Sequence, residues 1–148
     1  FGGGRTRIST LLGSCISITL WHPARLVGGM CHFMLPSRGQ SAGVALDGRY
    51  ADEALVLFDR EVAKAGSRPG DYQVKVFGGG NMLTRADDSS ELMDIAARNV
   101  ESAYALLARH GYRPAALAHC GGKGHRKLIF DLWTGHVWLA HRPLGSVA

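Results

Sequence analysis

The sequence predicts one α+β domain over residues 1–148, an α/β sandwich of mainly antiparallel paired sheets with two packed helices. Three observations predict this class. Short segments of alternating apolar and polar residues, typical of strands, lie near both ends of the chain. Two longer segments between them carry apolar residues at helical spacing. Short turns join successive strands, and this arrangement favours antiparallel pairing.

Three strands are predicted before the first helix. Residues 5–12 form a short strand that ends at a glycine. In residues 15–21 apolar and polar side chains alternate, so that one face of this strand is apolar and the other is mixed. A four-residue turn over residues 22–25 then leads into a returning strand over residues 26–35.

The later elements are predicted from apolar spacing and from glycines. In order they are a helix over residues 50–65, a strand over 72–77, a helix over 95–110, a strand over 114–120 and a hairpin of strands 126–132 and 136–142. Apolar residues recur every three or four positions in both helices, and Gly66 and Gly111 follow as stop signals. The Gly- and Ser-rich segment 37–49 and the polar, acidic segment 84–94 are predicted to be loops.

The charge and the cysteine content restrict the class of protein. The formal net charge of +5 favours an acidic partner. Basic residues form no long runs and are not interleaved with aromatic residues, so no nucleic acid is expected as a partner. Three cysteines without a CxxC pair argue against a disulfide framework and for a reducing, cytoplasmic location. No apolar segment approaches the roughly 20 residues of a membrane-spanning helix, and no membrane insertion is expected.

The main candidate for chemistry is a cysteine and a histidine in the first hairpin. A symmetric turn over residues 22–25 places Cys15 directly opposite His32, where the Cβ atoms of cross-strand partners lie about 4.5–5.5 Å apart. An adjacent imidazole can take the thiol proton and form a thiolate–imidazolium pair, which is the nucleophile of cysteine hydrolases. Ser9 and Thr10 on the preceding strand are the candidates for a hydroxyl that orients the imidazole.

The turn before the cysteine adds backbone donors to this candidate site. The N–H groups at Gly13 and Ser14 can stabilise an oxyanion close to the sulfur. A purely structural role is the alternative, in which Cys15 is a small buried apolar residue and His32 is a hydrogen-bonded core histidine. The residues alone leave both interpretations open.

Metal and phosphate sites are less well supported by the residue pattern. The possible metal ligands are Cys15, Cys31, His32, His119, Cys120 and His125. They lack the paired spacings of structural zinc sites, and strand neighbours such as Cys31 and His32 point to opposite faces. The glycine-rich segments 77–81 and 121–127 lack the spacings of phosphate-binding loops, so tight turns are predicted there. No metal is expected.

Six segments of the chain, from TLLGSC at residues 10–15 and GGMCHFMLP at 28–36 to TGHV at 134–137, resemble the CheD family of bacterial chemotaxis proteins. The resemblance covers nearly the whole chain in order, and the first two segments together are the most specific. The segments are TLLGSC at residues 10–15, GGMCHFMLP at 28–36, YADEA at 50–54, KVFGGGNM at 75–82, ARNVE at 97–101 and TGHV at 134–137.

The resemblance implies a chemoreceptor glutamine deamidase that needs no cofactor. Its catalytic pair would be Cys15, the cysteine of the LGSC motif, and His32 of the second motif. The family's third residue is a threonine six positions before the cysteine, where this chain has Ser9, with Thr10 beside it. Because Ser9 has the same parity as Cys15, strand alternation favours Ser9 as the residue that orients the imidazole, with Thr10 as the alternative.

The resemblance also implies a fold and partners. The fold would be similar to the catalytic domain of deamidating bacterial toxins. The substrates would be chemoreceptor cytoplasmic domains, and a CheC-like phosphatase would be a second partner. The same acyl chemistry would serve hydrolysis of glutamyl methyl esters. The alternative function is a non-catalytic adaptor that binds receptors and the phosphatase.

One loop of this chain departs from the family pattern. The family typically has Asp-x-Gly-Gly where this chain has His119, Cys120, Gly121 and Gly122. An imidazole replaces a carboxylate there, so altered loop or partner contacts are expected.

Overall fold

The computed structural model describes residues 1–39, 43–82, 89–115 and 119–142, with the side chains of 89–94 excepted. Within these residues the chain forms strands and two helices. In order they are β1 (Gly2–Gly3), β2 (Arg7–Leu12), β3 (Ile16–His22), β4 (Val27–Phe33), α1 (Ala51–Lys64), a single 3₁₀ turn (Pro69–Asp71), β5 (Gln73–Gly78), α2 (Ser89–Arg109), β6 (His125–Asp131) and β7 (Val137–Arg142).

The strands form two antiparallel sheets. The larger sheet has the order β1-β4-β3-β5, and the smaller has the order β2-β6-β7. Both helices pack on one face of the larger sheet, in a core that includes Ile16, Ile18, Leu20 and Phe33. A second, smaller core lies between the two sheets. The predicted α+β sandwich with mainly antiparallel pairing is confirmed.

Apolar periodicity predicts the first helix well. The buried residues of α1 lie at the predicted positions on one stripe, namely Ala51, Ala54, Leu55, Phe58 and Val62. These side chains cover the apolar face of β3 and β4. Burial of such a stripe, at about 25 cal/mol per Å² of apolar surface, is the main stabilising contribution of an amphipathic helix.

The second helix begins earlier than predicted. It starts at Ser89 rather than at residue 95, so the predicted loop over residues 84–94 is wrong for its last six positions. Residues 84–88 lie outside the described residues. Serine and acidic residues, which indicated a loop, are also the residues favoured at the start of a helix.

The predicted strand over residues 114–120 is only partly within the description. Residues 116–118 lie outside it. On either side of them, Pro114 forms a parallel bridge with Val74, and Cys120 forms one with Gly78. The segment therefore runs along β5 at these two points.

The last hairpin turns at a glycine between the two predicted strands. Gly135 has a φ of +71°, and a Cβ atom there would lie 2.3 Å from the ring of Trp21. The indole N–H of Trp21 donates a hydrogen bond to the carbonyl of Leu132 at 2.8 Å. This bond fastens β3 of the larger sheet to the end of the smaller sheet.

The turn of the first hairpin lies one residue later than predicted. His22 pairs with Val27, so the connecting residues are 23–26 rather than 22–25. The N–H of Leu26 donates to the carbonyl of His22 at 2.9 Å, and Leu26 closes the turn with a φ of +52°. A turn of unchanged length has moved by one position, which changes every cross-strand partner by two residues.

The change of register affects the candidate pair directly. His32 lies opposite Ser17, not opposite Cys15, so the predicted direct pairing is wrong. Because the shift is two residues, side chains stay on the faces that were predicted for them. Cys15 and His32 are therefore diagonal neighbours on the same face of the sheet, where Cβ atoms are typically up to about 7–8 Å apart.

Candidate active site

Cys15 lies between the two sheets, directly before β3. Its side chain is half-buried and packs against the small core of Leu12, Phe77 and Leu128. The backbone leaves β2 of one sheet at Leu12 and enters β3 of the other sheet at the residue after Cys15. The cysteine thus sits where the chain crosses from one sheet to the other.

A threonine from the smaller sheet contacts the histidine. The Thr10 Oγ1 atom lies 2.8 Å from His32 Nδ1, within hydrogen-bond distance. Ser9 points away from this space and is exposed. The contact is thus made by Thr10, the alternative candidate, and not by the favoured Ser9. Parity along one strand cannot be extended to Cys15 because the chain changes sheets between these residues.

Burial favours the neutral forms of both reactive groups. It raises the pKa of the Cys15 thiol above its usual value of 9.0 and lowers the pKa of His32 below 6.5. The N–H of Cys15 itself and the Ser14 hydroxyl oppose the rise for the thiol. A neutral thiol and a neutral imidazole are thus favoured at neutral pH, rather than the predicted ion pair. His32 has the protonation state of a general base.

The glycine-rich segment after β5 supports the cysteine loop. The N–H of Gly80 donates to the carbonyl of Gly13 at 2.9 Å, and the N–H of Gly79 donates to the carbonyl of Cys15 at 3.0 Å. A Cβ atom on Gly78 would lie 2.1 Å from the Cys15 carbonyl oxygen. Only glycine allows such a close backbone approach here.

Two cavities lie near these elements. One of about 370 Å³ opens along the edge of β4. It is lined by Met30–His32 of this strand, by α1 and by Asp47–Arg49 of the loop that leads into α1. The other, of about 510 Å³, lies between α2 and the backbone of residues 120–122. The smaller cavity borders His32, and Cys15 lines neither of the two.

Sequence reasoning missed one buried polar residue beside the cysteine loop. Asn99 of α2 is fully buried, and its Nδ2 atom lies 2.9 Å from the carbonyl oxygen of Met34 and 3.4 Å from that of Ser14. The signal was available, because Asn99 lies on the same helical stripe as Ala96 and Ala103.

The loop that begins at His119 and Cys120 reaches the same layer of the structure. The ring of His119 stacks on Phe77, with 5.3 Å between ring centroids. Phe77 lies opposite Ser17 on β3, and Ser17 in turn lies opposite His32 on β4. The imidazole of His119 is therefore at the β5 side of the face that carries the candidate site.

The described residues contain no group of three or more His, Cys, Asp or Glu side chains placed to hold a metal ion. Cys31 packs against the helix-side core while His32 contacts Thr10 on the opposite side. These neighbours therefore point to opposite faces, as predicted. No helix within the described part of the chain is long and apolar enough to cross a membrane.

The candidate site residues Thr10, Cys15 and His32 lie in the two segments that most specifically resemble CheD. A family model described as CheD chemotactic sensory transduction matches residues 34–141. The chain belongs to the CheD family. The alignment with a relative from Dechloromonas aromatica spans the entire chain, including residues 1–33, which precede the segment that the family model matches.

Three CheD relatives illustrate the range of similarity. The protein from Dechloromonas aromatica, named "Probable chemoreceptor glutamine deamidase CheD 3", is 55% identical over 100% of this chain and 85% of its own length. A protein from Pseudomonas syringae pv. tomato is 49% identical over 93% of this chain and 81% of its own. One from Leptospira interrogans is 37% identical over 97% of this chain and 87% of its own length. The last two are also named as probable chemoreceptor glutamine deamidases.

Proposed function

We propose that this chain deamidates glutamine side chains of chemoreceptors, with Cys15 as the nucleophile and His32 as general base and acid. Thr10 orients His32 in this mechanism. The observation that carries the proposal is the 2.8 Å contact between Thr10 Oγ1 and His32 Nδ1, on the face that also carries Cys15. The names of the CheD relatives support the substrate class.

The contact with Thr10 occupies Nδ1 of His32 and leaves Nε2 for the chemistry. When the hydroxyl oxygen accepts the Nδ1–H of neutral His32, the lone pair is on Nε2. Nε2 then takes the thiol proton of Cys15 as the sulfur bonds to the carboxamide carbon of the substrate glutamine. The resulting oxyanion accepts hydrogen bonds from backbone N–H groups of the turn at Gly13 and Ser14.

Three further proton transfers complete the reaction. The Nε2–H of His32 protonates the amide nitrogen, the C–N bond breaks, and ammonia leaves a thioester on Cys15. His32 next takes a proton from water, which attacks the thioester carbon. The C–S bond breaks, the thiol regains a proton, and the product is a glutamate side chain. Glutamyl methyl esters would react by the same steps with methanol as the leaving group.

Charge and family membership support the partners in this proposal. The formal charge of +5 favours association with receptor helices that present glutamates around the target residue. We infer a cytoplasmic enzyme, because the proposed substrate lies in the receptors' cytoplasmic domains. A CheC-like phosphatase is a further proposed partner, on the resemblance alone.

The proposal is tested with a chemoreceptor cytoplasmic fragment and mass spectrometry. Wild type is expected to add one dalton per converted glutamine and to release ammonia. Cys15→Ala is expected to abolish both while the fragment still binds. Cys120→Ala is the matched control, because Cys120 is also a partly buried, free cysteine but has no role in the mechanism.

The outcomes separate an enzyme from an adaptor. Deamidation by Cys15→Ala at the wild-type rate would show that Cys15 is not the nucleophile. Binding without any mass gain in wild type would favour the adaptor function. A mass gain that Cys15→Ala loses and Cys120→Ala keeps supports the enzyme.

A further inference from the structure

The pairing of β3 with β4 stops short of the nucleophile. The last partners in this ladder are Ile16 and Phe33, so Cys15 and Met34 lie one residue beyond it. The backbone ladder holds His32 in place, but it does not by itself hold Cys15 against this strand. Something outside the ladder has to fix the separation of the two reactive side chains.

Asn99 spans this open end of the hairpin from behind. Its Nδ2 lies 2.9 Å from the Met34 carbonyl oxygen and 3.4 Å from the Ser14 carbonyl oxygen. Ser14 directly precedes the nucleophile, and Met34 lies two residues after His32. One amide group thus contacts both chain segments that carry the reactive pair.

The chemistry of the contact requires an NH₂ group. Two carbonyl oxygens facing the same space repel each other, and a side-chain amide provides two N–H donors on one atom. A hydroxyl has only one donor, and an apolar side chain has none. The contact is therefore selective for asparagine at this position of the helix.

The buried environment indicates that asparagine occupies this position because of its two N–H donors. Asn99 is fully buried on an apolar stripe between Ala96 and Ala103, where asparagine is a poor helix former. Its Oδ1 atom is buried without a hydrogen-bond partner among the described residues, which is unfavourable for folding. An apolar residue would avoid that loss, but it could not bond the two carbonyls.

We propose that Asn99 is a positioning residue of the active site, which holds the Cys15 loop at a fixed distance from His32. The proposal rests on the proposed function in that it takes these two residues as the reactive pair. It requires no contact between Asn99 and the substrate. The substitution Asn99→Leu keeps a branched side chain of similar size and removes both donors.

The test measures alkylation of Cys15 by iodoacetamide at pH 7.5, resolved by peptide mass spectrometry. We expect Asn99→Leu to slow this reaction roughly tenfold, the size of coupling typical of neighbouring groups, with little change in melting temperature. Asn99→Ser keeps one donor and provides a second variant. Its alkylation rate is expected to lie between those of wild type and Asn99→Leu. In a His32→Ala background, Asn99→Leu is expected to have no further effect, because the imidazole against which Asn99 positions Cys15 is gone.

Two controls distinguish positioning from loss of structure. Leu107→Ala removes a fully buried side chain of the same helix and is expected to lower the melting temperature without slowing alkylation of Cys15. Alkylation of Cys31, which packs against the main core, reports loosening and is expected to stay unchanged in Asn99→Leu. Equal slowing by Asn99→Leu with and without His32, or equal slowing by Leu107→Ala, would overturn the proposal.

The experiment does not depend on the receptor substrate. If the chain deamidates no glutamine, the coupling between Asn99 and His32 is still measured on the thiol. If it does deamidate, Asn99→Leu is expected to lower kcat with KM unchanged, because the substitution alters the reactive pair and not the binding surface. A failure of the proposed deamidase function can thus be distinguished from a failure of the positioning role of Asn99.

Discussion

The Thr10 hydroxyl oxygen lies 2.8 Å from Nδ1 of His32, and the two residues belong to strands of different sheets. The contact holds the imidazole in the space between the sheets, on the face where Cys15 lies. It also leaves the other ring nitrogen available for proton transfer. The orientation of the base therefore depends on how the sheets pack and not only on the hairpin that carries it.

Removing this hydroxyl is expected to slow catalysis with little effect on folding. Thr10→Val keeps the shape of the side chain and removes the hydrogen bond, which is typically worth about 0.5–1.5 kcal/mol. We expect kcat for ammonia release to fall roughly tenfold. Ser9→Ala is the matched control, because the neighbouring hydroxyl is exposed, and it is expected to retain full activity. Loss of activity in Ser9→Ala, with Thr10→Val unaffected, would reverse the assignment of the orienting residue.

Alkylation of Cys15 in the free enzyme is expected to accelerate up to and beyond pH 9. Thiolate is the reactive form, and burial raises the pKa of this thiol above 9.0. The rate constant for iodoacetamide, measured by peptide mass spectrometry between pH 6 and 10, should rise without reaching a plateau near neutrality. Cys31, whose pKa is raised by burial to about 12, should react more slowly throughout. A plateau below pH 8 would indicate a resting ion pair instead.

The acid limb of the deamidation rate is expected to lie below pH 6.5. The mechanism needs neutral His32 to take the thiol proton, and burial lowers the pKa of this imidazole. The base therefore stays neutral to a lower pH than an exposed histidine, and activity is lost only as pH falls through the lowered pKa. A profile of kcat/KM against pH measures this midpoint in the free enzyme. A midpoint above pH 7 would contradict the direction of the shift.

The faces of the first hairpin were predictable, but its pairing was not. Apolar alternation has a period of two residues, so it cannot detect a shift of two positions. The turn at residues 23–26 has the predicted length in a different place, because Leu26 adopts a positive φ that a leucine rarely takes. The pattern therefore placed Cys15 and His32 on the same face correctly. It was wrong to make them direct cross-strand partners.

The supporting residues of the site were harder to predict than the reactive pair. Thr10 contacts His32 only because two sheets stack, and strand parity contains no information about stacking. Asn99 lies on the buried stripe of α2, but its polar side chain made it look unlike a core residue. Both depend on contacts far apart in sequence, whereas Cys15 and His32 are in one hairpin with recognisable motifs.

Gly78 provides a direct test of the support beneath the cysteine loop. Its φ of +111° is in the region that favours glycine, and a Cβ atom would lie 2.1 Å from the Cys15 carbonyl oxygen. We expect Gly78→Ala to lower the free energy of unfolding by about 1–3 kcal/mol, as measured by urea denaturation. Because the carbonyl that must move belongs to the nucleophile, deamidation is expected to fall even in the folded fraction.

Gly70→Ala is the matched control for that substitution. The φ angle of Gly70 is not positive, and a Cβ atom added there would meet no heavy atom within 4 Å. Its replacement is expected to change stability by less than about 0.5 kcal/mol and to leave deamidation unchanged. If Gly78→Ala proved as stable and as active as Gly70→Ala, the backbone beneath Cys15 would have room to move. The position of the nucleophile would then not depend on the glycine-rich segment.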